Sequence, residues 1–291
     1  MTVTGARDER GDAMDVRVIP NRFRPGVGRY PAQENRRALL PQHARMLPPV
    51  EEANRLGVLL YPPLHDHESV RIESLGNGAM RVSWFTNVEA GQRAVAFVAT
   101  VHRSGGPGGI DATDVAIVEP ACGYTEQQAL DLIASVTSAP NSPPGTVGLR
   151  GAHNLMTEPG WDTVFLPVLN EPQRPAVATL ALRVETDWFP FETEFRVLLE
   201  KGDVVSMIGS GPIGQAIFVP RERPALVPCG PEEQAAFTER HERFAIESTR
   251  ARKVTRYGGA YADLYAVERE RRRAAPAAPA GGVPRRAGDG G

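Results

Sequence analysis

Between residues 69 and 85 the chain alternates apolar and polar positions twice, as SVRIESL and AMRVSWF, on either side of Gly76-Asn77-Gly78. A period of two puts Val70, Ile72 and Ser74 on one strand face and Met80, Val82 and Trp84 on the next. Gly-Asn-Gly tolerates the positive φ of a tight turn, so the pattern predicts a β-hairpin. Arg93 to His102 (RAVAFVATVH) mixes alanines with β-branched and aromatic residues; it fits helix or strand and is read as strand. At Tyr124 to Ser135 the period changes. Ala129, Leu132 and Ile133 share a helical stripe, Thr125 stands at the N-cap and Gln128 at the capping-box position, which predicts a helix. Ser138 to Gly148 reads as a loop.

From Leu149 to Arg221 the pattern is consistently that of strands. Trp161–Val168, Ala176–Thr186, Phe189–Leu199, Val204–Ile208 and Ile213–Val219 have strand composition and are parted by Gly, Pro, Asn or Asp. Thr179, Ala181 and Arg183 alternate with Leu180, Leu182 and Val184, giving one buried and one wet face. Short connections without crossover helices favour antiparallel pairing. The expected class is therefore mainly β, a β-rich α+β chain: an antiparallel jelly-roll-like sandwich or barrel over residues 16–228. Upstream, Val50–Leu56 reads as a short helix stopped by Gly57, and Val58–Tyr61 as a buried strand ended by Pro62 and Pro63. Pro20 to Pro49 reads as irregular, with one short helix near Ala38. Residues 229–273 form a helical annex: Pro231 opens a helix running to Arg256, Gly258-Gly259 break it, and Ala260–Arg273 resume it. Residues 1–15 and 274–291 lack periodic apolar positions and are expected to be disordered.

Composition narrows the function classes. The 291 residues carry a formal charge of −2, with 41% hydrophobic and 23% charged residues. That balance disfavours a dedicated nucleic-acid or anionic-membrane binder, whose contacts need a surplus of cations on one face. No apolar run approaches the ~20 residues of a membrane span, and the polar start lacks a secretory apolar core. Cys122 and Cys229 form no CxxC pair, so the expected compartment is a reducing cytoplasm. GxSxG, GxxxxGK[ST] and HExxH are absent. Gly209 to Gly214 has a GxGxxG spacing, but Pro212 and the strand-like residues after it contradict the helix such a fingerprint opens.

Two clusters carry candidate chemistry. In Leu64-His65-Asp66-His67-Glu68 an extended chain turns His65 and His67 to one side, where they could share a metal ion. Two imidazoles and a carboxylate suit Fe(II), and His-rich sites suit Zn. His65 and His67, followed by Glu73, resemble the HxH-and-Glu arrangement of cupin-type jelly rolls, and Lys201-Gly202-Asp203-Val204-Val205 resembles the opening of a second cupin hairpin. That resemblance implies a metal-dependent oxygenase or isomerase with His65, His67 and Glu73 as ligands. The chain departs from the family in placing Glu73 six positions after His67 and in offering Gln215 where a further His is expected. A polar loop beside two prolines explains the same histidines without a metal.

The second cluster, Val184 to Glu192, joins acids and aromatics at a strand junction. Glu185, Asp187, Trp188 and Phe191 could line a cavity, the rings giving contact area and the acids orienting a polar group. A sharp strand turn with its acids in water explains them equally, and Glu192 and Glu194 read as exposed alternation. The set Pro159-Gly160-Trp161, Asn170-Glu171-Pro172, Val184-Glu185-Thr186-Asp187-Trp188 with Pro190-Phe191, and Gly202-Asp203 resembles an uncharacterised bacterial domain-of-unknown-function family. Ala53-Asn54, Gly57 and Pro62-Pro63 extend the similarity. The resemblance spans about a third of the chain, implies a shared fold and supplies no catalytic residues. Two functions are expected from these readings: a cavity protein binding a small organic molecule or peptide as an accessory to a biosynthetic pathway, or the metal-dependent enzyme. The helical annex leaves a homo-oligomer open.

Overall fold

A computed structural model describes residues 14–33, 48–88, 92–103, 110–138, 143–171, 177–222, 224–254, 260–261 and 264–274. In chain order the first elements are β1 (Arg17–Pro20), α1 (Pro48–Asn54), β2 (Val58–Leu60), β3 (Ser69–Gly76), β4 (Ala79–Asn87), β5 (Arg93–Arg103) and β6 (Ile110–Ile117). Then come α2 (Glu126–Val136), β7 (Thr137–Ser138), β8 (Thr146–Arg150), β9 (His153–Met156), β10 (Trp161–Leu166) and β11 (Leu182–Val184). The last are β12 (Glu194–Leu198), β13 (Val204–Ile208), β14 (Gly214–Pro220), α3 (Pro231–Arg250), β15 (Lys253–Val254), β16 (Ala260–Tyr261) and α4 (Leu264–Ala274). The chain divides into two compact units, residues 1–40 with 50–224 and residues 41–49 with 225–291. The readings for residues 1–13 and 275–291, the helix near Ala38 and the Gly258-Gly259 break lie outside the described residues.

The first unit is β-rich, and its strand pairs are antiparallel. Its sheets run β13-β3-β4-β5-β6, β11-β10-β14-β2, β12-β8-β7 and β1-β9, and none closes on itself. The hairpin forms where the alternation placed it: Gly76, Asn77 and Gly78 take φ of 81°, 52° and 78°. Val70 faces Trp84, Ile72 faces Val82 and Ser74 faces Met80. On the next strand Trp84 pairs with Phe97, Val82 with Ala99 and Met80 with Val101. All nine are buried, and each large apolar side chain among them contributes about 1.5–3 kcal/mol. The β-branched and aromatic residues of RAVAFVATVH thus win over its alanines, because β5 is central and its inward positions meet partners on both sides.

Helix α2 carries the expected capping box between Thr125 and Gln128 and buries Ala129, Ile133 and Val136. Gly57 stops α1 with φ +64°; a Cβ there would run into the Ala216 carbonyl of β14.

Several expected boundaries move. The loop read over Ser138–Gly148 instead contains the first three residues of β8, a strand whose five residues are all buried. Pairing with both β7 and β12 leaves TVGLR no wet face, so it lacks the alternation that marks a half-exposed strand. Of Ala176–Thr186 only Leu182–Val184 forms a strand, with one isolated bridge between Thr179 and Val197. Of Phe189–Leu199 the strand begins at Glu194, since Pro190 has no N–H to give a ladder. In the second unit α3 ends at Arg250, and Lys253–Val254 pairs with Ala260–Tyr261 as a two-residue ribbon in place of continuous helix. No helix among the described residues is long and apolar enough to cross a membrane.

Candidate functional site

The His65–Glu68 segment is a braced turn. Glu68, 1% exposed at its side chain, takes a bidentate bond from Arg24 at 2.6 and 2.8 Å. It also accepts the His65 N–H at 2.8 Å, while Arg24 reaches the Pro63 carbonyl at 2.9 Å. The His65 and His67 rings stack with centroids 5.4 Å apart. Between them Asp66 accepts from Arg29 at 3.1 Å, a hydrogen bond that holds its carboxyl below the ordinary 3.8. Glu73 does not join them. It sits on β3 opposite Arg81 and Val204, four residues beyond Ser69 and so about 13 Å up the strand. Among the described residues its ion-pair partner is Arg71, at 3.9 Å. Gln215 is buried and committed to backbone, accepting from Leu169 N–H and donating to the Leu56 carbonyl. No group of three His, Cys, Asp or Glu among the described residues is placed to hold a metal.

The second cluster divides. Arg221 links Asp162, at 2.9 Å, to Asp187, at 2.5 Å, and stands 3.5 Å from Glu185. Asp187 also accepts the Gly160 N–H at 3.1 Å. The hydrogen bond from Arg221 is the main reason its carboxyl titrates below the ordinary 3.8, with Gly160 assisting. Trp188 donates Nε1–H to Glu185 at 2.6 Å and lays its ring 5.6 Å from Phe189. Glu185, Asp187 and Trp188 are therefore spent on holding a turn. Phe191 points the other way, packs on Phe165 at 5.3 Å and lines a cleft.

That cleft, of about 240 Å³, is lined by the apolar Phe189, Pro190 and Phe191 and by the polar Ser138, Arg150, Glu192 and Glu194. Three-stranded pairing builds it: Glu194 of β12 stands opposite Arg150 of β8, and Ser138 of β7 opposite Gly148 of β8. Gly148 is required there. A Cβ would fall 2.6 Å from Glu194 Oε2 and closer still to Ser138 Oγ, the two atoms that hydrogen-bond across it.

Arg150 is the buried polar centre of the cleft. Its Nε donates to the Thr137 carbonyl at 3.0 Å, its Nη1 donates to Glu192, and its guanidinium lies 4.5 Å over the Phe23 ring. Nη2 makes no hydrogen bond within the described residues and remains a donor. Arg22 joins Glu192 from the far side, and Arg196 joins Glu194. None of the lining residues is His, Cys or Lys, so the arrangement suits holding a ligand with charges of both signs and offers no nucleophile–imidazole pair.

Sequence reasoning found Phe191 and noticed the Glu192/Glu194 alternation, but missed Ser138, Arg150, Phe189 and the rim residues Arg22 and Phe23. These lie up to 167 positions apart, so no local spacing links them; an arginine closing the apolar run TVGL was the one available signal. Searches against protein-family models, curated proteins and solved structures find no match to this chain.

Proposed function

We propose that the first unit is a binding module for a small zwitterionic organic ligand, of the size of one amino acid or the end of a peptide. The observation that carries this reading is the cleft itself, whose lining combines two aromatic rings with Arg150, Glu192, Glu194 and Ser138. Its volume of about 240 Å³ lies below the 300–1,000 Å³ typical of drug-sized sites. Arg150 Nη2 suits a ligand carboxylate, Glu194 with Ser138 suits an ammonium, and Phe189 with Phe191 suits an apolar side group. In this reading the open antiparallel sheets are the faces of a jelly-roll-like sandwich, and the cleft opens beside β12.

Thermal-shift and calorimetric titration with L-phenylalanine, its amide and its N-acetyl derivative test the proposal. Free L-phenylalanine is expected to stabilise the protein, and blocking either charged end to weaken binding about tenfold or more. Phe189→Ala, at a ring 45% exposed, is expected to weaken binding while leaving the melting temperature of the free protein unchanged. No stabilisation by free amino acids or dipeptides up to roughly 10 mM would refute the reading.

A further inference from the structure

A buried hydroxyl beside the cleft has no partner. Thr193 stands one residue before β12 and is 1% exposed, and its Oγ1 makes no hydrogen bond among the described residues. Folded proteins rarely leave a buried polar atom in this state, because water is lost and nothing replaces it. Thr193 lines a narrow recess with Arg22, Phe23 and Asn154, and with Arg150 and Glu192, which the recess shares with the cleft.

The polar groups there differ in what they have left to give. Glu192 accepts from Arg150 and pairs with Arg22. Asn154 spends Oδ1 on the Thr193 N–H at 2.8 Å, so its free end is Nδ2, which makes no hydrogen bond among the described residues. Arg150 Nη2 is unused as well. Three donors therefore remain: Arg150 Nη2, Asn154 Nδ2 and the Thr193 hydroxyl. Arg22 and Arg150 against Glu192 leave the lining with a net charge of +1. Spare donors and one surplus cation suit a monoanion, and a carboxylate supplies two oxygens for charge-assisted bonds.

In this conformation the recess has no room for a water molecule. Phe23 is the lining residue able to open it. Its ring lies 4.6 Å from the Arg22 guanidinium and 4.5 Å from that of Arg150, yet it is 40% exposed. Its backbone N–H is pinned to Asn21 Oδ1 at 2.8 Å, so side-chain rotation is the motion available, and exposed rotamers turn fast. We propose, resting on the reading of the cleft as an amino-acid site, that the recess is its carboxylate seat and Phe23 the gate. The ring turns out, and the ligand carboxylate takes the three spare donors.

Calorimetry and nitrogen-15 NMR of the full chain test this with L-phenylalanine, glycyl-L-phenylalanine and sodium propionate, the last an acid with neither ammonium nor ring. Thr193→Val removes the hydroxyl and keeps the shape. Free Thr193→Val should melt no lower than the parent, since an unpaired buried hydroxyl becomes a methyl group. Its affinity for whichever of the amino acid and the dipeptide binds the parent should fall about tenfold or more, and Thr193→Ser should stay within about threefold. Propionate at roughly 50 mM should shift the Asn154 side-chain amide signals of the parent, and shift them less in Thr193→Val. Phe23→Ala should bind propionate more tightly, because the closed fraction no longer weakens it.

Amino-acid affinity unchanged within about twofold in Thr193→Val overturns the carboxylate seat and leaves the cleft reading standing. A propionate response that Thr193→Val weakens, without amino-acid binding, upholds the seat and removes the zwitterionic ligand. A lower melting temperature for free Thr193→Val means that the hydroxyl is already bonded within the protein, and overturns the seat. Weaker propionate binding by Phe23→Ala overturns the gate, and no response to any of the three compounds overturns both readings.

Discussion

Replacing Arg24 with Met removes the cation from the most buried ion pair among the described residues. Glu68 is 1% and Arg24 16% exposed at the side chain, so little solvent screens the pair. Without Arg24 the carboxylate keeps one other donor among the described residues, the His65 N–H. Stripping one partner from a buried pair costs about 3–5 kcal/mol, a large share of the 5–15 kcal/mol that holds an ordinary domain together. Urea unfolding followed by tryptophan emission suits the measurement, because Arg24 lies 5.5 Å over the Trp84 ring. With a slope of about 2–3 kcal/mol/M, the midpoint of Arg24→Met should fall by roughly 1–2.5 M. Glu68→Gln keeps an acceptor for His65 and should cost less. The double variant should lose at least about 2 kcal/mol less than the two singles summed, since no unpaired charge remains. A midpoint shift under about 0.3 M for Arg24→Met, or a coupling under about 0.5 kcal/mol, would show that the pair does not brace this turn.

Arg221→Gln should let the Asp187 carboxyl titrate closer to 3.8, as followed by carbon NMR of the carboxylate; an unmoved midpoint would contradict the assigned hydrogen bond. The sign follows from the depressed value: Asp187 adds stability above its unfolded value, and the contribution disappears as pH falls through the lower folded one. Burial likewise holds the His153 imidazole below 6.5, outweighing a backbone bond at Arg29. Its contribution is full above 6.5 and shrinks as pH drops toward the folded value. His153→Phe, which keeps the edge contact with Tyr30, should therefore flatten the fall in melting temperature between about pH 7 and pH 5; an identical slope would refute the assignment. Gly148→Ala should cost about 1–3 kcal/mol through overpacking and weaken amino-acid binding by parting Ser138 from Glu194. Calorimetry showing unaltered affinity would remove Gly148 from the cleft's construction.

Legibility in the sequence followed exposure. Strands with one wet face, such as β3 and β4, announce themselves by alternation, and α2 by its cap and stripe. β8 has no wet face, so its first three residues read as loop; Arg150 falls in the stretch read as strand, where nothing beyond the apolar run before it marks it as a site residue. The aromatic-acidic segment drew notice because it is dense in ionisable and ring-bearing residues. Yet Asp187 and Glu185 turned out to serve Arg221, an arginine more than thirty positions away whose role no local spacing could reveal. The paired histidines looked like ligands because composition shows donor atoms. It does not show that β3 carries Glu73 away from them.

The pairing of β1 with β9 joins Arg17 to Met156 and Pro20 to His153, so the earlier strand waits about 135 residues for its mate. At 5–20 residues per second a ribosome takes roughly 7–27 s to supply it. Throughout that interval an unsatisfied ribbon edge is available to any neighbouring nascent chain. Arg17 at one end of β1 and Pro20 at the other are the residue types that discourage such strangers, which makes this four-residue segment a guard during synthesis as well as a part of the finished protein.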